Sequence, residues 1–291
     1  MNQLSIEKLN LQYKNGVKAI DDISLTIRNG MFGLLGPNGA GKSSLMKTIV
    51  GLQQPQSGKL LFNGIDIIQQ PEFIRKQLGF LPQDFGVYPR ASALQLLHHL
   101  AVLKGVADAK ERKKQIEILL EKVNLTAVKN KEVFRFSGGM RQRFGIAQAL
   151  LGNPSIIIVD EPTAGLDPEE RNRFNGILSE ISKEVIVLLS THLVEDVRNL
   201  CSSMAILKNG RIRVVGSPGE LVSTLQGKIW AKKISKTELA DVEQRFHVIS
   251  HQWVETQLVV SVYATQQPEG FDAVLPTLEH FYFYTIKQAA A

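Results

Sequence analysis

The sequence has a single cysteine, Cys201, and no apolar run of the roughly 20 residues that a membrane-spanning helix requires. One thiol excludes an internal disulfide and a metal site made of several cysteines. The longest apolar runs, at 156–159 and 185–189, have the length of buried strands. Residues 1–8 contain no apolar stretch resembling a signal peptide, so we expect an intracellular protein. If it acts at a membrane, we expect another chain to hold it there.

Blocks of five or more basic residues, low-complexity segments and short repeats are also missing. The formal net charge is +6, with 28 basic and 20 acidic residues in 1–219 but 6 and 8 in 220–291. This modest basic excess suits a polyanionic nucleotide or an anionic lipid surface, but it is too scattered to predict nucleic-acid binding. With 44% apolar and 21% charged residues, the 291-residue chain can bury a large core, which excludes a disordered protein.

Residues 36–44 match the phosphate-binding loop pattern G-x-x-x-x-G-K-[ST]. The matching stretch is Gly36, Pro37, Asn38, Gly39, Ala40, Gly41, Lys42, Ser43 and Ser44. An apolar strand at 31–35 precedes it and a helical pattern at 43–50 follows, which is the context that such a loop requires. Glycine amides and the positive helix end would hold phosphate oxygens. Lys42 would pair with the β- and γ-phosphates and Ser43 would ligate magnesium, so the pattern predicts a nucleoside triphosphate site.

Hydrophobic periodicity predicts an α/β fold. Alternation of period two over 4–27 indicates an antiparallel β layer, and helical periodicity between 91 and 123 indicates two helices broken near Gly105-Val106. Strands and helices then alternate as in βαβ units, and Asn209-Gly210 indicates a hairpin. The predicted elements lie at 59–62, 78–81, 156–159, 169–181, 185–189, 193–200, 204–207 and 211–215. Together they predict a mostly parallel, buried sheet.

The composition changes near residues 216–219, after which the sequence predicts a small α+β appendage over 220–291. Its predicted order is helix, strand, helix, strand pair, helix and a final strand at Tyr282–Ile286. Residues 235–238, Ser-Lys-Thr-Glu, have the form of a helix capping box. About 70 residues can bury only a small core, so we expect the appendage to pack against the domain formed by residues 1–219.

Two further motifs show which family the chain resembles. Residues 136–143, Phe-Ser-Gly-Gly-Met-Arg-Gln-Arg, resemble the signature sequence of the ATP-binding cassette (ABC) ATPases, and residues 156–163, Ile-Ile-Ile-Val-Asp-Glu-Pro-Thr, resemble their second nucleotide motif. With the phosphate loop, they follow the family's order and spacing over residues 1–219. The resemblance implies a phosphate-loop ATPase core with an antiparallel β layer and a helical subdomain at about 85–150. Phe136 and Met140 replace the commoner Leu and Gln, at positions that need not supply a phosphate donor.

The signature is also an anion site by its own chemistry, because Ser137, Gly138 and Gly139 open a predicted helix that runs to Leu150. Amides at a helix start are free to bind phosphate. One ATP does not need two phosphate cradles from the same subunit. In the family, the signature of one subunit faces the phosphate loop of the other in a head-to-tail dimer. The resemblance therefore implies a second ATP-binding subunit, and we expect a homodimer.

Asp160 ends an apolar strand, which places its carboxylate at the carboxyl edge of the sheet, where ligands bind. We expect Asp160 to reach magnesium, directly or through water. Glu161 is the candidate base that polarises the attacking water and accepts its proton. Two neighbouring acids after an apolar strand are costly without a cation to offset their charge, which favours a functional role over a plain strand terminus.

Four further residues take their roles from the resemblance. His192 matches the family's switch histidine, which can hydrogen-bond the γ-phosphate and hold Glu161 and the water in line. Gln83 matches the glutamine-loop residue, whose amide can touch magnesium and the water. Asp167 matches the loop that crosses the dimer, although its position also fits a helix N-cap. Tyr13 lies where the family stacks an aromatic ring on adenine, although a lone tyrosine in a β layer more often packs.

The resemblance implies an ATPase that uses ATP and Mg²⁺ and energises separate integral membrane permease subunits, which hold it on the cytoplasmic face of the cell membrane. The sequences at 79–83 and 165–168 resemble those of bacterial exporter-type cassettes. We expect the permease to dock at 85–89, Phe-Gly-Val-Tyr-Pro, whose aromatics could instead pack under the next helix. The alternative is a soluble ABC ATPase acting on nucleic acid or the ribosome. Such proteins commonly carry coiled-coil insertions, zinc motifs or a second cassette, which this sequence lacks, so we expect no nucleic-acid partner.

Overall fold

A computed structural model describes residues 1–86 and 88–288 and confirms the predicted α/β fold. Up to residue 216 the elements are β1 (Gln3–Gln12), β2 (Lys18–Arg28), β3 (Gly30–Leu35), α1 (Lys42–Ile49), β4 (Ser57–Phe62), β5 (Ile65–Asp66), α2 (Pro71–Gln77), β6 (Leu78–Leu81), α3 (Ala93–Leu103), α4 (Ala109–Lys122), α5 (Gly138–Leu150), β7 (Ile156–Asp160), α6 (Pro168–Ile181), β8 (Ile186–Thr191), α7 (Val194–Leu200), β9 (Ser203–Lys208) and β10 (Arg211–Gly216). Among the described residues, no helix combines the length and the apolar character needed to cross a membrane.

The strands up to β10 form two sheets. The order β2-β1-β4-β5 makes an antiparallel sheet, as the alternation predicted. The second sheet has the order β10-β9-β3-β8-β7-β6, in which every strand is parallel to its neighbours except β10, which pairs antiparallel with β9. The loops after β3, β6, β7 and β8 therefore leave at the same edge of this sheet, where ligands bind in such folds.

The parallel sheet is buried on both faces, which explains its continuous apolar strands. In β7, Ile156 and Ile158 belong to a core shared with the antiparallel sheet and α1, whereas Ile157 and Val159 belong to the core formed with the helices on the other side. Each of these four side chains is at most 2% exposed. Packing on both faces fixes the strand and thereby the position of Asp160 at its end.

Helices α3, α4 and α5 pack against one another within the range predicted for the helical subdomain, and each begins at a side-chain N-cap. Ser92 caps α3 in a capping box, Asp108 caps α4 and Ser137 caps α5. The predicted break between α3 and α4 is confirmed, because Gly105 follows α3 with a φ of +86°, a conformation that ends helices and favours glycine. The predicted helix over 137–150 is confirmed as α5.

After β10 the chain forms α8 (Pro218–Ser223), β11 (Ile229–Ile234), α9 (Leu239–Arg245), β12 (His247–Val254), β13 (Gln257–Tyr263), β14 (Asp272–Ala273) and α10 (Leu278–Lys287). The strands make a further antiparallel sheet in the order β12-β13-β11-β14. The predicted capping box at Ser235 is present and opens a single helical turn ahead of α9. These elements have the predicted α+β character, while a domain boundary at residue 219 stays a prediction.

The predicted final strand at Tyr282–Ile286 is wrong, because this segment lies within α10. Its aromatic composition favours strands, but the buried positions follow helical spacing: Leu278, Phe281, Tyr282 and Thr285. The helix packs against α7, α8, β9 and β12. Three of its side chains join the large core that also contains residues of α5, α6 and α7. The appendage therefore packs against the preceding part of the chain, as its length led us to expect.

Candidate active site

An open cleft of about 580 Å³ lies beside the phosphate loop. Its lining includes most of the predicted nucleotide-site residues: Tyr13, Pro37, Asn38, Gly39, Ala40, Gly41, Lys42, Ser43, Ser44, Gln83, Glu161 and His192. The other lining residues are Val17, Lys18, Ala19 and Asn209. Of the remaining predicted residues, Gly36 and Asp160 are buried next to lining residues. The fold thus gathers segments that are far apart in sequence around one phosphate loop.

The loop between β3 and α1 holds its shape because glycine occupies two crowded positions. A side-chain carbon on Gly36 would overlap the Leu207 carbonyl oxygen, and one on Gly41 would overlap the Ala19 carbonyl oxygen. Gly41 also has a φ of +106°, in the region that favours glycine. The first amides of α1 have no intrahelical acceptor, and no acidic residue occupies its first turn. The positive end of this helix is therefore available to an anion.

Lys42 is buried, and its side chain folds back onto the loop. Its Nζ donates to the Gly36 carbonyl oxygen at 2.7 Å and lies 3.6 Å from Oε1 of Glu161. Burial lowers the pKa of Lys42, while the charges of Glu161 and Asp160 oppose that shift. An ammonium group has three donors, so Lys42 can turn toward phosphate oxygens while it keeps its carboxylate neighbours.

Glu161 and His192 form a close pair at the ends of β7 and β8. Nδ1 of His192 lies 2.7 Å from Oε2 of Glu161. Glu161 has a φ of +49°, a left-handed conformation that is uncommon for a residue with a side chain and recurs at functional sites. Its amide donates to the Ser190 carbonyl oxygen at 2.9 Å, which holds the bend. The bend leaves Glu161 buried at the cleft, while the His192 side chain is 45% exposed.

Asp160 is buried, and its Oδ1 has no hydrogen-bond partner among the described residues. A buried carboxylate oxygen without a partner is costly, so this atom fits a bound cation. The other predicted magnesium ligands, Ser43 and Gln83, line the cleft with oxygen-bearing side chains. Within residues 1–86 and 88–288, no group of three or more His, Cys, Asp or Glu could hold a metal ion. Magnesium commonly binds through one or two protein ligands together with substrate phosphates, and the residues present fit that mode.

Tyr13 follows β1 directly, and its hydroxyl lies 2.9 Å from Oγ of Ser44. This contact ties the ring to the phosphate loop and places it at the cleft, while stacking on adenine stays a prediction. Asp167 accepts a hydrogen bond from the Glu170 amide at 2.8 Å and so caps α6, as one of the two interpretations of this residue predicted. Its role in crossing a dimer also stays a prediction.

The signature residues do not line the cleft of their own subunit. Oγ of Ser137 accepts a hydrogen bond from a backbone amide of α5 at 3.2 Å. Ser137 and Gly138 are both exposed. Gly139 is buried beneath Glu170, and a side-chain carbon at this position would overlap the Glu170 carboxylate. Arg143, one turn further along α5, forms an ion pair with the same carboxylate. These contacts hold the start of α5 against α6 while Ser137 and Gly138 face solvent.

The predicted docking loop at 85–89 is described except at Val87, which lies outside the described residues. Phe85 is half-buried, and a side-chain carbon on Gly145 of α5 would come within 2.9 Å of its ring. Tyr88 is 66% exposed. Only Tyr88 of the two aromatics is therefore solvent-facing as the docking prediction required, whereas Phe85 packs on the helical subdomain.

Two features of the site were not predicted from the sequence. The first is the contribution of Lys18 and Asn209 to the cleft lining, since Asn209 was interpreted only as a hairpin residue. The second is Asp196 of α7, which is fully buried behind the Glu161–His192 pair. The signal for Asp196 lies in its position, because it falls on the apolar face of the helical pattern over 193–200.

Comparison with protein families gives a match of residues 20–164 to the family described as ABC transporter. The ABC transporter ATP-binding protein NatA of Bacillus subtilis is 37% identical over 202 residues, covering 68% of this chain and 82% of the relative. The linearmycin resistance ATP-binding protein LnrL of Bacillus subtilis is 30% identical over 273 residues, covering 91% and 88%. The methionine import ATP-binding protein MetN of Corynebacterium diphtheriae is 34% identical over 233 residues, covering 78% and 68%. The chain spans only 24% of another relative, ABC transporter A family member 8 of Dictyostelium discoideum.

Solved structures give the same picture. An ATP-binding subunit of an ABC transporter aligns with a TM-score of 0.68 and 30% identity, covering 76% of this chain and 92% of that chain. A dimeric bacterial ABC transporter cassette aligns with a TM-score of 0.67 and 26% identity, covering 74% of this chain and 98% of that chain. Both solved chains are covered nearly from end to end, whereas part of this chain lies outside the match.

Proposed function

Because the chain belongs to the family of ABC transporter ATP-binding proteins, we propose that it is a Mg²⁺-dependent ATPase that energises export through a separate membrane permease in a bacterium. The observation that carries this proposal is the single cleft that gathers the phosphate loop, Gln83, Glu161 and His192 while the signature stays outside it. Such a cleft can bind a nucleoside triphosphate, and a second subunit can close over it.

In the proposed mechanism, Glu161 is the base that polarises the attacking water, and His192 holds the water and the γ-phosphate in line. The 2.7 Å contact between Nδ1 of His192 and Oε2 of Glu161 supports this division of roles. Lys42 and the first amides of α1 bind the phosphates, and Tyr13 stacks on the adenine. Magnesium, when bound with the nucleotide, supplies charge neutralisation at the phosphates. Its protein ligands would be Ser43, Gln83 and Asp160.

A second copy of the chain completes each site. Ser137 and Gly138 are exposed at the start of α5, where amides without intrahelical acceptors suit a phosphate. Since these residues lie outside the cleft of their own subunit, they are placed to serve the cleft of another. The similarity to a dimeric cassette supports this arrangement. The proposed assembly is a head-to-tail homodimer with ATP between the subunits.

The proposed permease is an integral membrane protein, and the chain binds to it on the cytoplasmic face of the membrane. The described residues contain no helix that could cross a bilayer, and the relatives carry the names of transporter subunits. The proposed direction is export, which rests on the exporter-like sequences at 79–83 and 165–168. A resistance protein matches over 91% of this chain and an import protein over 78%. Tyr88, which is exposed and follows Gln83 by five residues, is the proposed anchor for the permease.

The variant Glu161→Gln tests the hydrolytic site. It should bind ATP, lose about 100-fold or more of its turnover, and accumulate as an ATP-bound dimer in light scattering. Glu180→Gln is the matched control, because Glu180 is a 62% exposed carboxylate on α6 that is remote from the cleft. It should leave turnover and the monomer–dimer balance unchanged. Full ATPase activity in Glu161→Gln would refute the assigned base.

A further inference from the structure

Behind the Glu161–His192 pair lies a carboxylate, Asp196, that is 0% exposed. Its Oδ2 accepts the Thr163 hydroxyl at 2.6 Å and lies 3.4 Å from the Thr191 hydroxyl. Its Oδ1 accepts Nε of Arg171 at 2.8 Å and lies 2.7 Å from Nη2 of the same guanidinium. The two oxygens therefore have different partners: Oδ2 contacts two hydroxyl groups, and Oδ1 contacts the Arg171 guanidinium.

The two threonines are close in sequence to the proposed catalytic pair. Thr163 is two residues after Glu161, and Thr191 directly precedes His192. Both threonines are buried. The Thr191 hydroxyl oxygen also accepts a hydrogen bond from the Leu193 amide at 3.0 Å. The hydroxyl proton of Thr191 is therefore directed toward Asp196. One buried carboxylate thus connects the backbone segments that carry the two members of the pair.

Such a buried acid is costly to keep. Taking a carboxylate out of water is unfavourable unless it is paired, and apolar residues of similar size often serve stability equally well. The Arg171 guanidinium offsets the charge, but it has a second acidic partner in Glu195 at 3.2 Å. Glu161 meanwhile holds a left-handed backbone conformation, which persists only where the surrounding structure enforces it. Asp196, through Thr163 and Thr191, is placed to add to the constraint that the hydrogen bond from the Glu161 amide to Ser190 provides.

We propose that Asp196 is a positioning residue for ATP hydrolysis, which fixes Glu161 relative to His192 through the hydroxyls of Thr163 and Thr191. The inference rests on the proposed roles of Glu161 and His192. Asp196, Thr163, Thr191 and Arg171 do not line the nucleotide cleft. Their loss should therefore alter the alignment of the reacting groups without removing any contact to ATP.

The test is the steady-state ATPase of the full chain with Mg-ATP. Asp196→Asn keeps the shape of the side chain but removes its charge and one acceptor oxygen. We expect kcat to fall by roughly 10- to 100-fold, the usual penalty for a small misplacement of reacting groups, with KM and ATP affinity within about twofold of the wild type. Glu195→Gln is the matched control, because it removes a charge from the same helix turn and the same guanidinium but contacts neither threonine. It should leave kcat unchanged.

A second pair of variants separates positioning from packing at Thr163. Thr163→Ser keeps the hydroxyl and loses the methyl group, whereas Thr163→Val keeps the shape and loses the hydroxyl. Positioning through Asp196 requires the valine variant to lose more kcat than the serine variant. A packing role requires the reverse. This pair decides the question even if Asp196→Asn does not fold.

The outcomes are distinct. A fall in kcat alone for Asp196→Asn, with Thr163→Val worse than Thr163→Ser, supports the inference. A kcat for Asp196→Asn equal to that of Glu195→Gln, or a joint fall of kcat, ATP affinity and unfolding midpoint, overturns it. So does a serine variant as impaired as the valine variant. Glu161→Gln is measured alongside, because turnover in that variant would instead overturn the proposed function on which the inference rests.

Discussion

Within residues 1–86 and 88–288, the region that contains the cleft buries charged side chains, whereas the C-terminal region buries only uncharged polar ones. Among the described residues, five charged side chains are buried: Lys42, Arg143, Asp160, Glu161 and Asp196. Lys42 and Glu161 line the cleft, Asp160 directly precedes Glu161, and Arg143 and Asp196 lie on α5 and α7. The part of the chain described over 220–288 buries two polar side chains, Ser261 and Thr285, and neither is charged. Because a buried charge is costly unless a partner or a ligand offsets it, the comparison locates the chemistry in the first region and packing in the second.

The C-terminal region nevertheless touches the catalytic region at one informative place. Its last helix, α10, packs against α7, which carries Asp196 and begins two residues after His192. A second, smaller core lies under the C-terminal sheet, around Val260, Val262 and Phe271. This arrangement suits a module that stabilises or regulates the ATPase without taking part in hydrolysis. In such a protein, stability and nucleotide binding can be changed independently in the two regions.

The largest expected effect on stability is that of Leu258→Ala in the C-terminal sheet. Leu258 is 2% exposed within the smaller core, so the substitution should lower the free energy of unfolding by about 2–5 kcal/mol. ATP affinity, measured below the unfolding transition, should not change. Val254→Ala, at a position on β12 that is 44% exposed, is the control and should change stability by less than about 0.5 kcal/mol. Weaker ATP binding in folded Leu258→Ala would show that the two regions are coupled.

For Lys42→Ala in the cleft, we expect ATP affinity rather than stability to change. A hydrogen bond to a charged group contributes about 1.5–3 kcal/mol, so ATP should bind roughly 10- to 100-fold more weakly, and the thermal shift with Mg-ATP should shrink accordingly. Lys47→Ala is the matched control, because Lys47 is exposed in the last turn of the same helix. If Lys42→Ala retains the full thermal shift, the cleft does not bind phosphate through this residue.

The sequence predicted the cleft well because its residues belong to contiguous motifs. The phosphate loop, Asp160 and Glu161 each follow an apolar strand directly, and parallel strands bring their carboxyl ends to one edge. Asp196 was missed because its partners come from three separate elements, and no local pattern encodes which hydroxyl a buried acid will meet. The segment at 282–286 was misassigned for a related reason. Its aromatic residues favour a strand locally, but packing against α7 and α8 selects a helix.

Substitutions of the two signature glycines, Gly138 and Gly139, should have smaller effects that differ from each other. In Gly139→Ala the Glu170 carboxylate has to turn away from the added carbon and give up its ion pair with the buried Arg143, so we expect a loss of about 1–3 kcal/mol in unfolding free energy of the isolated subunit. At Gly138 a side-chain carbon would meet open space. Gly138→Ala should leave the subunit's stability unchanged and weaken only ATP-induced dimerisation, measured by light scattering. Equal destabilisation by both substitutions would contradict the assignment of Gly139 to packing and Gly138 to a partner's nucleotide.

The smallest expected effect is a pH dependence confined to the C-terminal region. His280 follows the N-cap of α10, and its Nδ1 accepts the Thr277 amide at 3.2 Å. Burial lowers the pKa of His280 below its ordinary 6.5, while the charge of Glu279 opposes that shift. The unfolded chain therefore binds the proton more readily than the folded chain. Stability should accordingly be highest above pH 6.5 and decrease as the pH falls toward the folded-state pKa.

His280→Gln isolates the contribution of His280 protonation to stability, because glutamine completes a capping box without titrating. Between about pH 7.5 and 5.5, urea titration should show the wild type losing more unfolding free energy than the variant. His251→Gln is the control, because His251 is an exposed histidine on β12, and it should keep the wild-type slope. Since His280 lies outside the cleft lining, ATP affinity should not differ between the wild type and His280→Gln at either pH. If acidification weakens ATP binding only in the wild type, the packing of α10 against α7 carries the state of His280 to the catalytic region.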